Sequence, residues 1–138
     1  MAIVVFDADV LIAYLGRDDA HHAEAVERVR QALEPGTRRL VSAVNYAEIL
    51  IGPLERAGAA GAETVDAKFV RFGIETIQVD MGLARRAADV RVRTNLKLPA
   101  AFALATAIHA EKTGHDHVRI ESFDKKVNKA FAGLGPLV

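Results

Sequence analysis

The chain has 138 residues, 51% of them hydrophobic, which suits one folded domain with a buried core and is too short for two comfortable ones. It has no cysteine, which excludes disulfides and thiolate metal sites, and it has no apolar run of the roughly 18 to 20 residues that a membrane span needs. Its 18 basic and 18 acidic residues cancel, which argues against a general polyanion binder.

Apolar runs and helical patterns alternate along the chain. The run 2–6 predicts a buried first strand, and because it has neither the basic leader nor the apolar length of a secretory signal, we expect a cytoplasmic protein. Further strands are predicted at 39–41, 74–79 and 118–121, with a last short strand in 133–138. Helices are predicted at 10–15, 20–34, 43–57, 62–72, 81–94, 98–112 and 123–130. This alternation predicts one α/β domain over residues 1–138, a three-layer α/β/α sandwich with a mostly parallel central sheet of 4–5 strands.

Small residues mark where several helices begin and end. Ser42, Asp80 and Ser122 can each cap the helix that follows. Gly58 and Gly61 together predict a turn between two helices. In parallel α/β sheets the working site lies beyond the carboxyl ends of the strands, so polar residues there are the first candidates for chemistry.

Two acidic residues follow the first predicted strand. Asp7 should project from the carboxyl edge of a central strand, and Asp9 lies two residues on, at the start of a helix. Helix capping alone would explain one or both of them. A strand-end carboxylate beside a second acid is better explained by a site for a cation or a phosphoryl group.

Two further acidic residues lie far along the chain. Glu48 falls in a helical pattern in which Val44, Ala47 and Ile51 share its inward face. A buried carboxylate needs an arginine, a proton or a metal ion, and a structural salt bridge is the simplest of these. Asp124 follows the strand at 118–121, where interaction with the dipole of the next helix could also account for it.

The other polar residues argue against several common kinds of metal and catalytic site. The His21–His22 pair has no cysteine or third histidine at ligand spacing, and the sequence lacks a Gly-rich phosphate loop and a Ser–His–Asp arrangement. Oxygen ligands alone favour Mg²⁺ or Mn²⁺, which can acidify a water for attack on a phosphodiester. A basic segment late in the chain is either a phosphate-contacting edge or a solvated helix face. Its candidate contacts to nucleic-acid phosphates are Arg85, Arg86, Arg91 and Arg93.

Four segments stand out by their order and spacing. They read VVFDADVLI at 4–12, VSAVNYAEI at 41–49, LPAAFALATA at 98–107 and SFD at 122–124. Together they resemble the signature segments of PIN-domain nucleases over almost the whole chain. The size of the chain is similar to that of the VapC-type toxins of bacterial type II toxin–antitoxin pairs.

The resemblance implies a Mg²⁺- or Mn²⁺-dependent endoribonuclease that hydrolyses single-stranded RNA by in-line attack of water, leaving a 5′-phosphate and a 3′-hydroxyl. It also implies a homodimer, neutralised by a small VapB-type antitoxin whose C-terminal part occupies the active-site groove. By position, Asp7, Glu48 and Asp124 would be the catalytic acids and metal ligands. Ser122 matches a small hydroxyl residue that helps to orient the site. Asp9 stands where the family usually has serine or asparagine.

One position departs from the family's pattern. The third segment normally reads Leu-Pro-Asp-Ala, and here Ala100 replaces an aspartate that is expected to bind metal. Losing one of four carboxylates should weaken Mg²⁺ binding severely, so we expect this chain to cut RNA poorly or not at all. The alanine fits an engineered inactive variant or a naturally silent member, and the intact remainder of the segment favours the former.

Two other interpretations stay open. Asp7 and Asp9 also fit the first motif of HAD-type phosphohydrolases, but those enzymes need a later lysine and a paired acid motif, and SFDKK at 122–126 supplies one acid. The chain could also be a non-catalytic module that dimerises and holds a partner peptide or RNA.

Overall fold

A computed structural model describes residues 2–114 and 117–134, with Leu134 as backbone only. Its strands are β1 (Ala2–Phe6), β2 (Thr37–Ser42), β3 (Ile74–Ile77) and β4 (His117–Glu121). Its helices are α1 (Ala8–Leu15), α2 (His22–Ala32), α3 (Ala43–Ala57), α4 (Ala59–Phe72), α5 (Met81–Thr94), α6 (Leu98–Lys112) and α7 (Lys125–Leu134). None of the described helices is both long and apolar enough to cross a membrane.

The strands form one parallel sheet in the order β3-β2-β1-β4. β1 is central, since Ala2 pairs with Thr37 of β2 on one side and with His117 of β4 on the other. Parallel strands need crossover connections, and here helices supply them. The predicted α/β/α fold is therefore confirmed, with four strands in the described part of the chain.

Alternate residues of β1 belong to two different cores. Val4 and Phe6 pack into a cluster with residues of α1 to α4, whereas Ile3 and Val5 pack with Ala107 of α6. This alternation follows from the two-residue period of a strand, and burial on both faces explains why β1 is an uninterrupted apolar run. Asp7 thus follows the central strand, at the carboxyl end of a sheet whose two faces are both covered.

The apolar helix predicted at 98–112 is confirmed to the residue as α6. Pro99 lies in its first turn, where its missing N–H costs no hydrogen bond. The inward face predicted for α3 is wrong. The helix buries Asn45 and Ile49, whereas Ala47 is exposed and Ile51 is 56% exposed. The error arises because α3 contacts α1, α4 and α6 on different sides, so its apolar residues do not mark a single inward stripe.

Two of the three predicted helix caps are confirmed. The side chain of Ser42 accepts a hydrogen bond from the Asn45 N–H, and that of Asp80 accepts one from the Leu83 N–H. The third is wrong, because Ser122 Oγ accepts from the Asp124 N–H and α7 begins only after Asp124. Ser122 therefore shapes the loop before α7 and does not cap the helix itself.

The predicted turn at Gly58 and Gly61 and the predicted last strand in 133–138 also differ from the structure. Gly58, with φ of +59°, forms the corner between α3 and α4, but Gly61 lies inside α4. A Cβ at Gly61 would meet the carbonyl oxygen of Pro53 at 2.2 Å, so this glycine permits close helix packing and not a turn. In the predicted last strand, Gly133 and Leu134 belong to α7, and positions 135–138 lie outside the described residues.

Candidate active site

A cleft of about 550 Å³ opens at the carboxyl end of the sheet. Four acidic side chains from three segments of the chain line it. The residue that replaces the expected aspartate of the family pattern lines it as well. These lining residues are Asp7, Asp9, Glu48, Asp124 and Ala100. Asp7 follows the central strand, and Asp124 comes from the loop after β4, which pairs directly with β1. The topology thus gathers into one place every acidic residue that the sequence offered as a candidate for chemistry.

Asp7 is only 7% exposed. Its Oδ1 accepts a hydrogen bond from the Ala8 N–H at 2.9 Å, and its Oδ2 accepts one from Ser122 Oγ at 2.9 Å. Burial raises the pKa of Asp7 to about 6; the negative charge of Asp9 adds to the rise, and the hydrogen bond from Ser122 opposes it. Asp7 therefore lies where a proton or a cation would relieve the cost of burying its charge.

Asp9 is held by the same loop. Its Oδ2 accepts a hydrogen bond from the Phe123 N–H at 3.0 Å and lies 3.4 Å from Ser122 Oγ. Burial raises the pKa of Asp9, and the hydrogen bond from Phe123 opposes the rise. Its Oδ1 is buried and has no hydrogen-bond partner among the described residues. Such an atom is costly unless something else satisfies it.

Ser122 is fully buried at the centre of these contacts. Besides bonding to Asp7, its Oγ accepts from the Asp124 N–H at 3.0 Å. Asp124 in turn accepts from the Lys126 N–H at 2.8 Å, so it holds the first turn of α7 while also lining the cleft. The helix-dipole and cleft-lining interpretations of Asp124 are therefore compatible.

Glu48 is oriented by a residue that was not selected from the sequence. Asn45, which is fully buried, donates from Nδ2 to Glu48 Oε1 and to the carbonyl oxygen of Pro99, both at 3.0 Å. Asn45 also accepts from Ser42 Oγ at 2.7 Å. Glu48 has no ion pair among the described residues, so the salt-bridge alternative finds no support. The pattern that could have revealed Asn45 is Ser42, Asn45 and Glu48 at three-residue steps along one helix.

The predicted arginines do not line this cleft. Arg85, Arg86 and Arg93 line a separate groove of about 460 Å³ between α5 and α6, where Arg93 pairs with Asp89 at 3.0 Å. Arg91 instead donates to the carbonyl oxygens of Asn95 and Leu96 and so closes the end of α5.

The cations that do line the cleft are Lys97 and Lys126. Neither lysine was selected from the sequence as a site residue. Each flanks a signature segment, Lys97 directly before the third and Lys126 two residues after the last acid. Their proximity to these segments was the sequence feature that could have identified them as residues of the cleft.

The donor atoms suit a hard divalent cation. All four acids offer oxygen, the preferred ligand of Mg²⁺ and Mn²⁺, and the unpartnered Oδ1 of Asp9 and the raised pKa of Asp7 both indicate negative charge that is poorly compensated. In the part of the chain that the structure describes, however, no three acidic or histidine side chains converge closely enough to hold an ion as they stand. Ala100 contributes only a methyl group to this cleft wall. The residues fit the ion in chemistry, and the ligand set is incomplete in number.

Comparisons with known proteins identify the family and support the fold. The sequence profile of the PIN domain matches residues 4–131. A comparison with curated protein sequences finds no match. Among solved structures the chain is similar to VapC20 of Mycobacterium tuberculosis, a sarcin–ricin loop-cleaving toxin, at 20% identity and a TM-score of 0.66, covering 97% of this chain and 95% of that one. It is also similar to a toxin–antitoxin complex from Klebsiella pneumoniae, at 22% identity and a TM-score of 0.68, covering 97% of this chain and 92% of that one.

At these identities the solved structures establish likeness of fold, and the sequence profile carries the family assignment. The matched range contains all four signature segments and all four acids of the cleft. The chain belongs to the PIN domain family.

Proposed function

We propose that this single-domain chain is a divalent-metal-dependent endoribonuclease toxin of a cytoplasmic toxin–antitoxin module, impaired by Ala100. The observation that carries the proposal is the convergence of Asp7, Asp9, Glu48 and Asp124 on one cleft. The fold likeness to VapC20 and to a toxin–antitoxin complex supports the toxin context. Membership of the PIN family replaces the HAD-type alternative.

In this proposal Asp7, Glu48 and Asp124 would hold Mg²⁺ or Mn²⁺. When bound, such an ion would acidify the attacking water and stabilise the leaving oxygen. Ser122 keeps Asp7 directed along the cleft wall through its hydrogen bond, and Asn45 does the same for Glu48. These two neighbours fix the carboxylates before substrate arrives, which lowers the cost of organising the site.

Ala100 accounts for the expected loss of activity. It lies in the first turn of α6 and lines the cleft together with the four acids. A carboxylate at this position would face Asp7 and Glu48 across the cleft and complete a set of oxygen ligands. With a methyl group there, we expect weak binding of the ion and slow cleavage.

For the RNA, we propose contacts at two places. Lys97 and Lys126 line the cleft itself and would hold the phosphates next to the scissile bond. Arg85, Arg86 and Arg93, with Lys112, would hold the strand along the groove between α5 and α6. Arg91 supports the cleft wall through Asn95 and Leu96.

We place the antitoxin in a neighbouring groove of about 610 Å³. Ile12 and Ile51 expose apolar surface in it, and the charges of Arg17 and Arg56 are offset by Asp18, Asp19 and Glu48. Ile12 also lines the acidic cleft, so one partner segment could span both sites. Exposed apolar surface beside a functional cleft suits an apolar VapB-type segment. The homodimer expected from the family resemblance is part of the same proposal.

The decisive experiment restores the missing acid. We expect Ala100→Asp to cut single-stranded RNA in Mg²⁺ or Mn²⁺ and to stop in EDTA, because the fourth carboxylate completes the ion site. Ala100→Asn is the matched control, since it has the same shape without the charge. If Ala100→Asp neither cuts RNA nor arrests growth when it is expressed, the nuclease proposal fails.

The second candidate is a silent PIN module that only binds. Ala100 favours it for the chain as it stands, since one expected ligand is absent. This candidate predicts that RNA or an antitoxin peptide binds equally well to the chain and to Ala100→Asp, and that neither protein cuts. If only Ala100→Asp cuts RNA, the binding-only candidate is rejected for this fold, and Ala100 alone explains why the chain does not cut.

A further inference from the structure

Arg28 of α2 contacts the last residue of β4 and the first two residues of the loop that follows. Its Nη1 donates to Glu121 Oε1 and to the Ser122 carbonyl oxygen, both at 3.1 Å. Its guanidinium carbon lies 4.9 Å from the centre of the Phe123 ring. Its Nη2 donates to Glu24 Oε1 at 2.9 Å, which fixes the guanidinium from the other side. One side chain thus contacts three consecutive residues.

Those three residues are the ones that hold the carboxylates. The Glu121 carbonyl oxygen accepts from the Asp7 N–H at 2.9 Å, and Ser122 Oγ donates to Asp7 Oδ2. The Phe123 N–H donates to Asp9 Oδ2. The loop therefore has Arg28 on one side and the acids of the cleft on the other.

The contacts of Arg28 are protected from water. The side chain of Glu121 is only 12% exposed and that of Arg28 is 28% exposed, so salt screens this pair less than a surface pair. A hydrogen bond between two charged groups is also stronger than a neutral one. Arg28 does not line the cleft, and its recorded contacts reach the carboxylates through residues 121–123.

We infer that Arg28 is a positioning residue for the carboxylate site. It holds residues 121–123 so that Ser122 and Phe123 present their donors to Asp7 and Asp9. The inference rests on the proposed function in one respect, that these carboxylates serve a metal site. The alternative is a tie between α2 and β4 that affects stability alone.

The first test uses the chain as it is and needs no metal or RNA. We expect Arg28→Met to speed hydrogen exchange of the Phe123 amide about tenfold, because the loop that presents it loses its anchor. Amides inside α6 should keep their rates. Arg30→Met is the matched control, since Arg30 lies on the same helix and, among the described residues, pairs only with the exposed Glu27. Should Arg28→Met fold poorly, Glu121→Gln weakens the same contact with little change of shape and should act in the same direction; Arg119→Met, which removes the other ion pair of Glu121, is its control.

The second test measures Mn²⁺ binding by calorimetry in the Ala100→Asp background. We expect Arg28→Met to weaken Mn²⁺ affinity about 10-fold to 100-fold, the usual cost of losing an outer support of metal ligands. Arg28→Lys should recover part of the loss, because lysine keeps the charge but lacks the second nitrogen that bonds Glu24 and the planar group that lies over Phe123. Arg30→Met should leave the affinity unchanged.

The outcomes separate the two proposals. Unchanged Phe123 exchange and unchanged Mn²⁺ affinity in Arg28→Met would overturn the positioning role, even if the melting temperature falls. If Ala100→Asp with Arg28 intact neither binds Mn²⁺ nor cuts RNA, the proposed function fails. In that case the exchange rates still decide whether Arg28 positions the loop.

Discussion

Asp7 is a buried carboxyl group whose ionisation lowers the stability of the fold. The end of the central strand puts its carboxyl group in a buried position, which raises its pKa from 3.8 to about 6. Between these two pH values the folded chain binds the proton more tightly than the unfolded chain does. Stability attributable to Asp7 is therefore fully present below about pH 4 and is lost as the pH rises through about 6.

We expect Asp7→Asn to raise the free energy of unfolding at pH 7 by about 1 to 3 kcal/mol, since one pKa unit corresponds to about 1.4 kcal/mol. The gain should shrink toward zero at pH 4, where the wild-type carboxyl group is largely protonated. Urea unfolding at the two pH values measures this. Asp18→Asn, at an exposed position, serves as the control. An equal gain at both pH values would contradict the prediction.

The residues missed in the sequence share one property. Asn45, Lys97 and Lys126 depend on neighbours that only folding supplies: Asn45 reaches Pro99, which lies 54 positions away, and the two lysines line a cleft with acids from other segments. Asp7, Glu48 and Asp124 could be singled out because a carboxylate at a strand end, or one within an apolar pattern, is conspicuous by itself. A buried amide within a helix is not.

At the scale of elements, the corner between α3 and α4 depends on one close approach. Gly61 of α4 lies against the backbone of Pro53 in α3, and an added Cβ would lie 2.2 Å from the Pro53 carbonyl oxygen. Backbone atoms cannot rotate away as the end of a side chain can, so relief would require the two helices to separate. Val65 and Phe69 of α4 pack in the core that lies against Asp7's strand.

We expect Gly61→Ala to destabilise the fold by about 1 to 3 kcal/mol, the usual cost of overpacking. In Gly82→Ala the added Cβ would lie 3.5 Å from Asp80 Oδ1, which is an ordinary contact. That control variant should be neutral or slightly stabilising, because alanine favours a helix over glycine. Thermal unfolding compares the two variants. Equal melting temperatures would show that α3 and α4 can separate at little cost.

Across the whole molecule, a net charge of zero coexists with local positive surface. The groove between α5 and α6 gathers Arg85, Arg86 and Lys112, and the cleft adds Lys97 and Lys126. Asp89 is the acid that lines the groove with them, whereas in the cleft four acids outnumber the two lysines. RNA binding should therefore depend on a few local contacts and only weakly on the field of the whole molecule.

If the proposed RNA contacts are right, the affinity for a short single-stranded RNA in EDTA should fall with salt, with a log–log slope no steeper than about −4. Replacing both Arg85 and Arg86 with alanine should make the slope shallower by about 0.7 for each phosphate that is no longer neutralised. Fluorescence anisotropy at several salt concentrations measures this. Arg38→Ala is the control, because Arg38 pairs with Glu75 on the sheet. If the unchanged chain, the double variant and Arg38→Ala all show the same slope, the groove between α5 and α6 does not bind the RNA.

The sequence by itself determined the alternation of strands and helices, the bounds of α6 and the positions of the acids at strand ends. These follow from local patterns, since the period of apolar residues and the chemistry of strand ends act over a few positions. The tertiary structure decided which face of α3 is buried, where Ser122 directs its hydroxyl, and which cations reach the cleft. Those features depend on contacts between residues far apart in the chain, such as Asn45 with Pro99 and Arg28 with Glu121, and no local pattern encodes such pairs.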